Sequence, residues 1–178
     1  MLDYLIERFG HMMGKHCELM LFAHNCSYDF AFISSLLDNY TYVTAGTSMV
    51  CATATYKGKK IVLRNTYKTI PMRLSKFAKC FSLGSVRKEV MPYDLYRSHE
   101  DAHRMHPLEQ CLAALETEED REQFKINVNE WEIINGSGEV DLWEYSARYC
   151  KADCLVLRAG YLKFRKLLHE ITRLDLDA

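Results

Sequence analysis

Two aspartates occupy positions where a carboxylate is costly. In LFAHNCSYDF (residues 21–30) an apolar run stops at His24-Asn25, and Asp29 then enters the start of a second apolar run, FAFISSLL. In YCKADCLVL (149–157) Asp153 is again a lone acid among apolar neighbours. A buried or half-buried carboxylate costs several kcal/mol unless it is paired, hydrogen-bonded or bound to a cation. Tyr149 precedes Asp153 by four residues, so on a helix the two share a face. Convergence of both acids on divalent cations would explain them together, because carboxylate oxygens are the hard ligands that Mg²⁺ or Mn²⁺ takes. Two such ions about 4 Å apart activate water and stabilise the leaving oxygen in phosphodiester cleavage. Either aspartate alone reads more simply as a helix N-cap or an ion-pair partner, and spacing does not bring the two together.

Charge supplies a second signal. From Asn39 to Lys88 there is no Asp or Glu, while Lys57, Lys59, Lys60, Arg64, Lys68, Arg73, Lys76, Lys79, Arg87 and Lys88 are basic. From Glu89 to Glu144 the balance reverses. A one-signed segment of this length is either a phosphate-attracting surface or a solvated basic face. The formal net charge of −1 does not decide between them.

The elements that must position these residues follow from periodicity. Residues 2–13 are amphipathic with helical spacing, and Glu18 to Ala23 is a short apolar strand. Tyr28 to Leu37 has a helical pattern, packing through Phe30, Ile33 and Leu37. Alternating, β-branched stretches then predict strands over TYVTAG, SMVCATATY and KIVLRN, with the last two joined by a turn at KGKK. Residues 66–71 form a connector, and Met72 to Phe81 has helical spacing that stops near Gly84. Leu108–Leu115, Glu116–Trp131 and Val140–Leu168 read as helices, with a break at Asn135-Gly136-Ser137-Gly138. The last helix would turn Leu142, Tyr145, Tyr149, Cys150 (or Asp153), Val156, Leu157 and Tyr161 inward. This order predicts an α/β fold with a mixed sheet. No run approaches the about 20 apolar residues of a membrane span. Seven scattered cysteines predict reduced core thiols and an intracellular protein.

Residues 20–33 and 145–157 resemble the Exo II (N-x-x-[FY]-D) and Exo III (Y-x-x-x-D) motifs of the 3′–5′ exonuclease domain of family B DNA polymerases. The intervening segment is similar to the protein-primed branch found in viruses, phages and organellar plasmids. NTYKTIPMRLSKFAKCFSLG resembles that branch's single-strand-binding stretch, with Tyr67 where the motif [ST]-L-x-x-hydrophobic has Leu. KEVMPYDLY resembles the segment that carries the exonuclease-site lysine, here Lys88. The likeness covers most of the chain and is weaker over 97–138.

The resemblance implies a ribonuclease-H-like mixed sheet with flanking helices. It casts residues 1–178 as a partial exonuclease domain of a larger polymerase, incomplete at its N-terminus. Asp29 and Asp153 would be metal ligands, Tyr149 would orient the attacking water, and Lys88 would meet the scissile phosphate. Asn25, Tyr28, Thr66 and Tyr67 would hold the frayed single-stranded primer end, and residues 57–88 would line the single-strand channel. The partners implied are single-stranded DNA, the rest of the polymerase chain and a terminal protein primer. One departure is large. No D-x-E of the Exo I motif precedes Asn25, and no D-T-D of a polymerase palm is present. Two Mg²⁺ bring four positive charges, of which two aspartates offset half, so the isolated chain is expected to be nearly inactive as a nuclease. A non-catalytic single-strand-binding module of the same fold is the alternative.

The remaining candidates have simpler explanations. His99, His103 and His106 have a spacing that could build a zinc site with Cys80 or Cys111, but a solvated polar insertion suits the segment better. Cys150 and Cys154 read as core thiols, and Trp131 and Trp143 as core or subdomain anchors. His24 is expected either at substrate or in a hydrogen bond at the strand end.

Overall fold

The computed structural model describes residues 2–12, 18–84 and 89–176. It separates into two compact units, Met1–Arg73 and Leu74–Ala178. As expected from the sequence, the class is mixed α/β, with a four-stranded mixed sheet and flanking helices consistent with a ribonuclease-H-like fold.

The first unit opens with helix α1 (Leu2–Phe9), prolonged by one 3₁₀ turn. Strand β1 (Leu19–Ala23) leads into α2 (Ser27–Ile33), and a 3₁₀ turn replaces the last part of the helix expected to reach Leu37. Strands β2 (Asn39–Ala45), β3 (Ser48–Tyr56) and β4 (Lys59–Asn65) follow. The sheet order is β1-β4-β3-β2, with β1 parallel to β4 and the other pairs antiparallel. Lys57 and Gly58 both take positive φ (49° and 70°), the backbone that a two-residue hairpin turn needs to match the strand twist. Along β3 and β4, Ala52, Ala54, Ile61 and Leu63 are buried at alternate positions. This face packs under α2, where Cys26, Phe30, Met49, Ala52 and Leu63 form the core with Ile33 and Leu37 at its margin. After β4 comes a single turn, α3 (Thr66–Thr69).

The second unit starts with a 3₁₀ turn (Leu74–Lys76) and α4 (Phe77–Cys80), so the helix expected over Met72–Phe81 is broken in two. Positive φ at Ser82 (49°) and Gly84 (68°) ends it. Next come α5 (His99–His103), β5 (Met105–Pro107), α6 (Leu108–Ala113), α7 (Glu118–Glu130), β6 (Glu139–Asp141) and α8 (Leu142–Thr172). Side chains start these helices: Ser98 caps α5, Thr117 caps α7 and Asp141 caps α8. The core gathers Cys111, Leu115, Phe124, Val128, Ile133, Val140, Leu142, Tyr145 and Tyr149. Tyr145 and Asn127 are hydrogen-bonded within it. Tyr145 Oη donates to the Val90 carbonyl (2.8 Å) and accepts from Asn127 Nδ2 (3.1 Å). No helix among the described residues is long and apolar enough to cross a membrane.

Several expectations are corrected. His106 is fully buried, not solvated, because its Nε2 donates to the Asp101 carbonyl (2.7 Å) and its Nδ1 lies 3.3 Å from Gln110 Oε1. His99 instead packs against His103 with tilted rings (4.4 Å), and His103 stacks on Trp143 at 4.1 Å. The three histidines therefore do not converge, and Trp143 is a half-exposed surface ring rather than a core anchor. Cys150 and Cys154 are exposed, because the inner face of α8 runs through Tyr149 and Val156, which carries Asp153 and not Cys150 partly inward.

Candidate functional site

The sequence-predicted residues of the first unit meet at the carboxyl ends of β1 and β4. These strands are parallel and in register, Ala23 facing Asn65, so the loops that follow them leave the sheet side by side. Adjacent parallel strands place ligand sites at this end of α/β sheets. From β1 come His24, Asn25, Tyr28 and Asp29; from β4 come Thr66 and Tyr67.

Each side chain has a local reason for its position. Asn25 turns the chain from β1 into α2 with a left-handed backbone (φ 64°), which Asn tolerates better than most residues. Tyr28 and Asp29 follow in the first turn of α2 and are exposed, Tyr28 at 71%. An anionic side chain suits a helix N-terminus. The Asp29 charge also reaches the buried Cys26 thiol, whose pKa is pushed up to about 11, chiefly by burial and then by that carboxylate. Tyr67 is 38% exposed and meets the His24 ring edge-on at 5.3 Å. Tyr28 packs edge-on against Phe32, another exposed ring of α2.

Two members of the set face inward. Thr66 is buried, with Oγ1 3.0 Å from His24 Nδ1 and 3.2 Å from the Ala23 carbonyl. His24 Nε2 donates to the Met72 carbonyl (2.8 Å). Burial lowers the His24 pKa, which favours the neutral ring, with Nδ1 beside the Thr66 hydroxyl that also donates to the Ala23 carbonyl. His24 thus makes strand-end hydrogen bonds, one of the two expectations for it.

The sequence reading missed Asn65. It is 3% exposed, and its Oδ1 accepts from both Asn25 N (3.0 Å) and Tyr67 N (3.1 Å) while Nδ2 donates to the Met49 carbonyl (2.7 Å). The signal was available: a polar residue closing an apolar strand immediately before Thr66 repeats what Asn25 does after β1.

The second unit carries Tyr149 and Asp153 on α8. The Tyr149 hydroxyl is hydrogen-bonded to Asp153 and lies 2.7 Å from the Tyr93 hydroxyl. A carboxylate only accepts, so the chain of donation runs Tyr93 to Tyr149 to Asp153. Burial first, and then these partners, raise the Tyr149 pKa far above the usual phenol range, so the phenol stays protonated. Tyr93 was not singled out from the sequence. Lys88 lies outside the described residues. Asp29 belongs to the first unit and Asp153 to the second.

Both aspartates are oxygen donors of the kind Mg²⁺ or Mn²⁺ takes, and Asp153 Oδ1 is buried with no hydrogen bond made to it. Among the described residues no three His, Cys, Asp or Glu side chains assemble into a metal site. The donor chemistry fits a hard cation, and the ligand number fits only part of a site.

The basic run is divided by the topology. Lys57, Lys59 and Lys60 stand at the start of β4, roughly 20 Å of strand away from Asn65. There Lys57 pairs with Asp3 and Lys60 with Glu18. Lys68 and Arg73 are the exposed cations that follow β4 in this unit. Within the first unit, these cations therefore do not form one patch at the strand ends.

The mixed sheet thus presents an acid, an amide and two exposed phenols at the ends of adjacent parallel strands. The chain belongs to the DNA polymerase type B family, organellar and viral, which it matches over residues 12–177. It is similar to a DNA polymerase of Kluyveromyces lactis, 23% identical over 185 residues that cover 99% of this chain and 18% of the relative. The chain therefore spans less than a fifth of that protein's length. No solved structure matches it.

Proposed function

We propose that this chain is the part of a type B DNA polymerase that grips single-stranded 3′ ends and supplies two acids, Asp29 and Asp153, to a proofreading 3′–5′ exonuclease. The observation that carries the reading is the cluster at the ends of β1 and β4, where Asn25, Tyr28, Asp29 and Tyr67 come from two loops to one edge of the sheet. Exposed aromatic rings beside a polar amide suit an unpaired base, and each base–ring stack contributes roughly 1–3 kcal/mol. Mispaired ends are selected because they melt, so no base edge needs to be read.

Asp29 and Asp153 would hold Mg²⁺ or Mn²⁺, which supplies Lewis-acid activation of water when bound. Tyr149 holds the Asp153 carboxylate in place through its hydroxyl, and Tyr93 in turn orients Tyr149. Lys88 meets the scissile phosphate. Thr66 orders the strand end through His24 rather than touching DNA. Priming by a terminal protein, and the remaining acids of the nuclease, belong to the rest of the polymerase. The isolated chain is nearly inactive, because two carboxylates offset half of the charge of two divalent ions.

A digestion assay on single-stranded DNA with Mg²⁺ tests this reading. Binding without robust cleavage is expected from the chain, with Mn²⁺ bound weakly and lost in Asp29→Ala. Robust cleavage abolished by Asp29→Ala would overturn the view that further acids are required. DNA binding unchanged by chelator, with no Mn²⁺ bound through either aspartate, would favour a non-catalytic binding module.

A further inference from the structure

We propose that Asn65 is a positioning residue for DNA, one buried carboxamide that sets the places of Asn25 and Tyr67 together. The inference rests on the reading of Tyr67 as a base-stacking contact. A carboxamide oxygen has two lone pairs, and Asn65 Oδ1 uses them on the backbone N–H groups of Asn25 (3.0 Å) and Tyr67 (3.1 Å). These two N–H groups lie on different loops, one after β1 and one after β4. The Nδ2 group is fixed on the Met49 carbonyl of β3 (2.7 Å), so the amide cannot flip or swing away. Rotating the amide would put its N–H₂ against two N–H donors and its oxygen against a carbonyl. The geometry therefore has one orientation, and that orientation joins three strands' worth of backbone at the site.

A single group holding both loops gives a consequence that a simple helix cap lacks. As the N-cap of α3, Asn65 needs only the Tyr67 N–H. The second acceptance, from Asn25 N, also fastens the left-handed turn that precedes Tyr28 and Asp29. Loss of Asn65 should release both sides of the binding edge at once, so its effect on DNA should include the whole of what Tyr67 contributes.

The test is a titration of 5′-fluorescein-labelled oligothymidylate with the chain, followed by anisotropy, alongside thermal unfolding of each variant. Tyr67→Ala is expected to weaken binding roughly tenfold, the scale of one lost base stack. Asn65→Ala should weaken it at least as much, and the double variant should bind no worse than Asn65→Ala alone. Asn65→Asp keeps the oxygen for both N–H groups and loses the donor to Met49, so its melting temperature should fall while its affinity stays within twofold of the unmutated chain's, roughly the error of additivity. Should Asn65→Ala fail to fold, Asn65→Ser keeps the cap on Tyr67 without reaching Asn25, and a loss of a few-fold is expected. Unmutated affinity in the foldable Asn65 variant, additive losses in the double variant, or an Asp variant as weak as the Ala one would each overturn the proposal. A silent Tyr67→Ala would remove both this proposal and the stacking reading beneath it, whereas additive losses would remove this proposal alone.

Discussion

Asn25 and His24 show how much of this site is set by single side chains. Asn25 holds φ at 64°, a backbone that costs an ordinary L-residue roughly 1–2 kcal/mol. Asn25→Gly should leave stability within about 0.5 kcal/mol, and Asn25→Ala should lose about 1 kcal/mol, as measured by denaturant unfolding. His24 makes a pH-dependent contribution whose sign is fixed. Burial lowers its pKa in the folded chain below 6.5, so as pH falls the unfolded chain takes up the proton first. Its stabilisation is complete above pH 6.5 and is lost as pH drops through the lowered folded value. The denaturation midpoint of the unmutated chain should fall over that window, and the difference from His24→Gln should shrink with it. An unchanged difference across the window would show that the ring does not titrate as its surroundings require. The sequence exposed Asn25 and Asp29 because both interrupt apolar runs. It did not expose Asn65, whose importance lies in partners 40 and 16 residues away in the chain.

At the scale of elements, the strands were legible wherever local chemistry dictates them. Alternation along β3 and β4 and the Lys57-Gly58 turn determine that hairpin without reference to anything distant. Helix α8 was legible through its apolar spacing, and even the choice between Cys150 and Asp153 was open only because both border the same stripe. The segment 97–107 was misread because the partners of His106, the Asp101 carbonyl and Gln110, exist only once α5, β5 and α6 have come together. Packing of α4 on α8 was likewise invisible, since it depends on a missing side chain. Gly160 lies against the fully buried Phe77 ring, and a Cβ there would overlap it. Alanine gains about 1 kcal/mol over glycine in a helix interior, and overpacking costs about 1–3 kcal/mol. Gly160→Ala should therefore destabilise the chain despite its better helix propensity. Calorimetry should show a lower melting temperature, with part of the loss recovered when Phe77→Leu is added, because residues in contact do not act additively.

Over the whole molecule, charge and topology have to be considered together, because a run of like charges in sequence is not a patch in space. Residues 39–88 contain no acid, yet β4 carries its first lysines away from the strand ends where Asn25 and Tyr67 lie. Lys57 and Lys60 there meet Asp3 and Glu18, acids from a different part of the chain. Exposed pairs of this kind contribute little to stability, but pairing removes the lysines from the pool that a phosphate chain can recruit. Binding of single-stranded nucleic acid weakens with salt in proportion to the phosphates neutralised, with a log–log slope of about −0.7 per contact. A double variant Lys57→Gln/Lys60→Gln should then leave both the affinity for oligothymidylate and its salt slope unchanged. Lys68→Gln and Arg73→Gln, beyond the site end of β4, should each weaken binding and reduce the slope by about 0.7. The opposite ranking would place the DNA along the hairpin end of the sheet, and the cluster at the ends of β1 and β4 would lose its claim to the primer terminus.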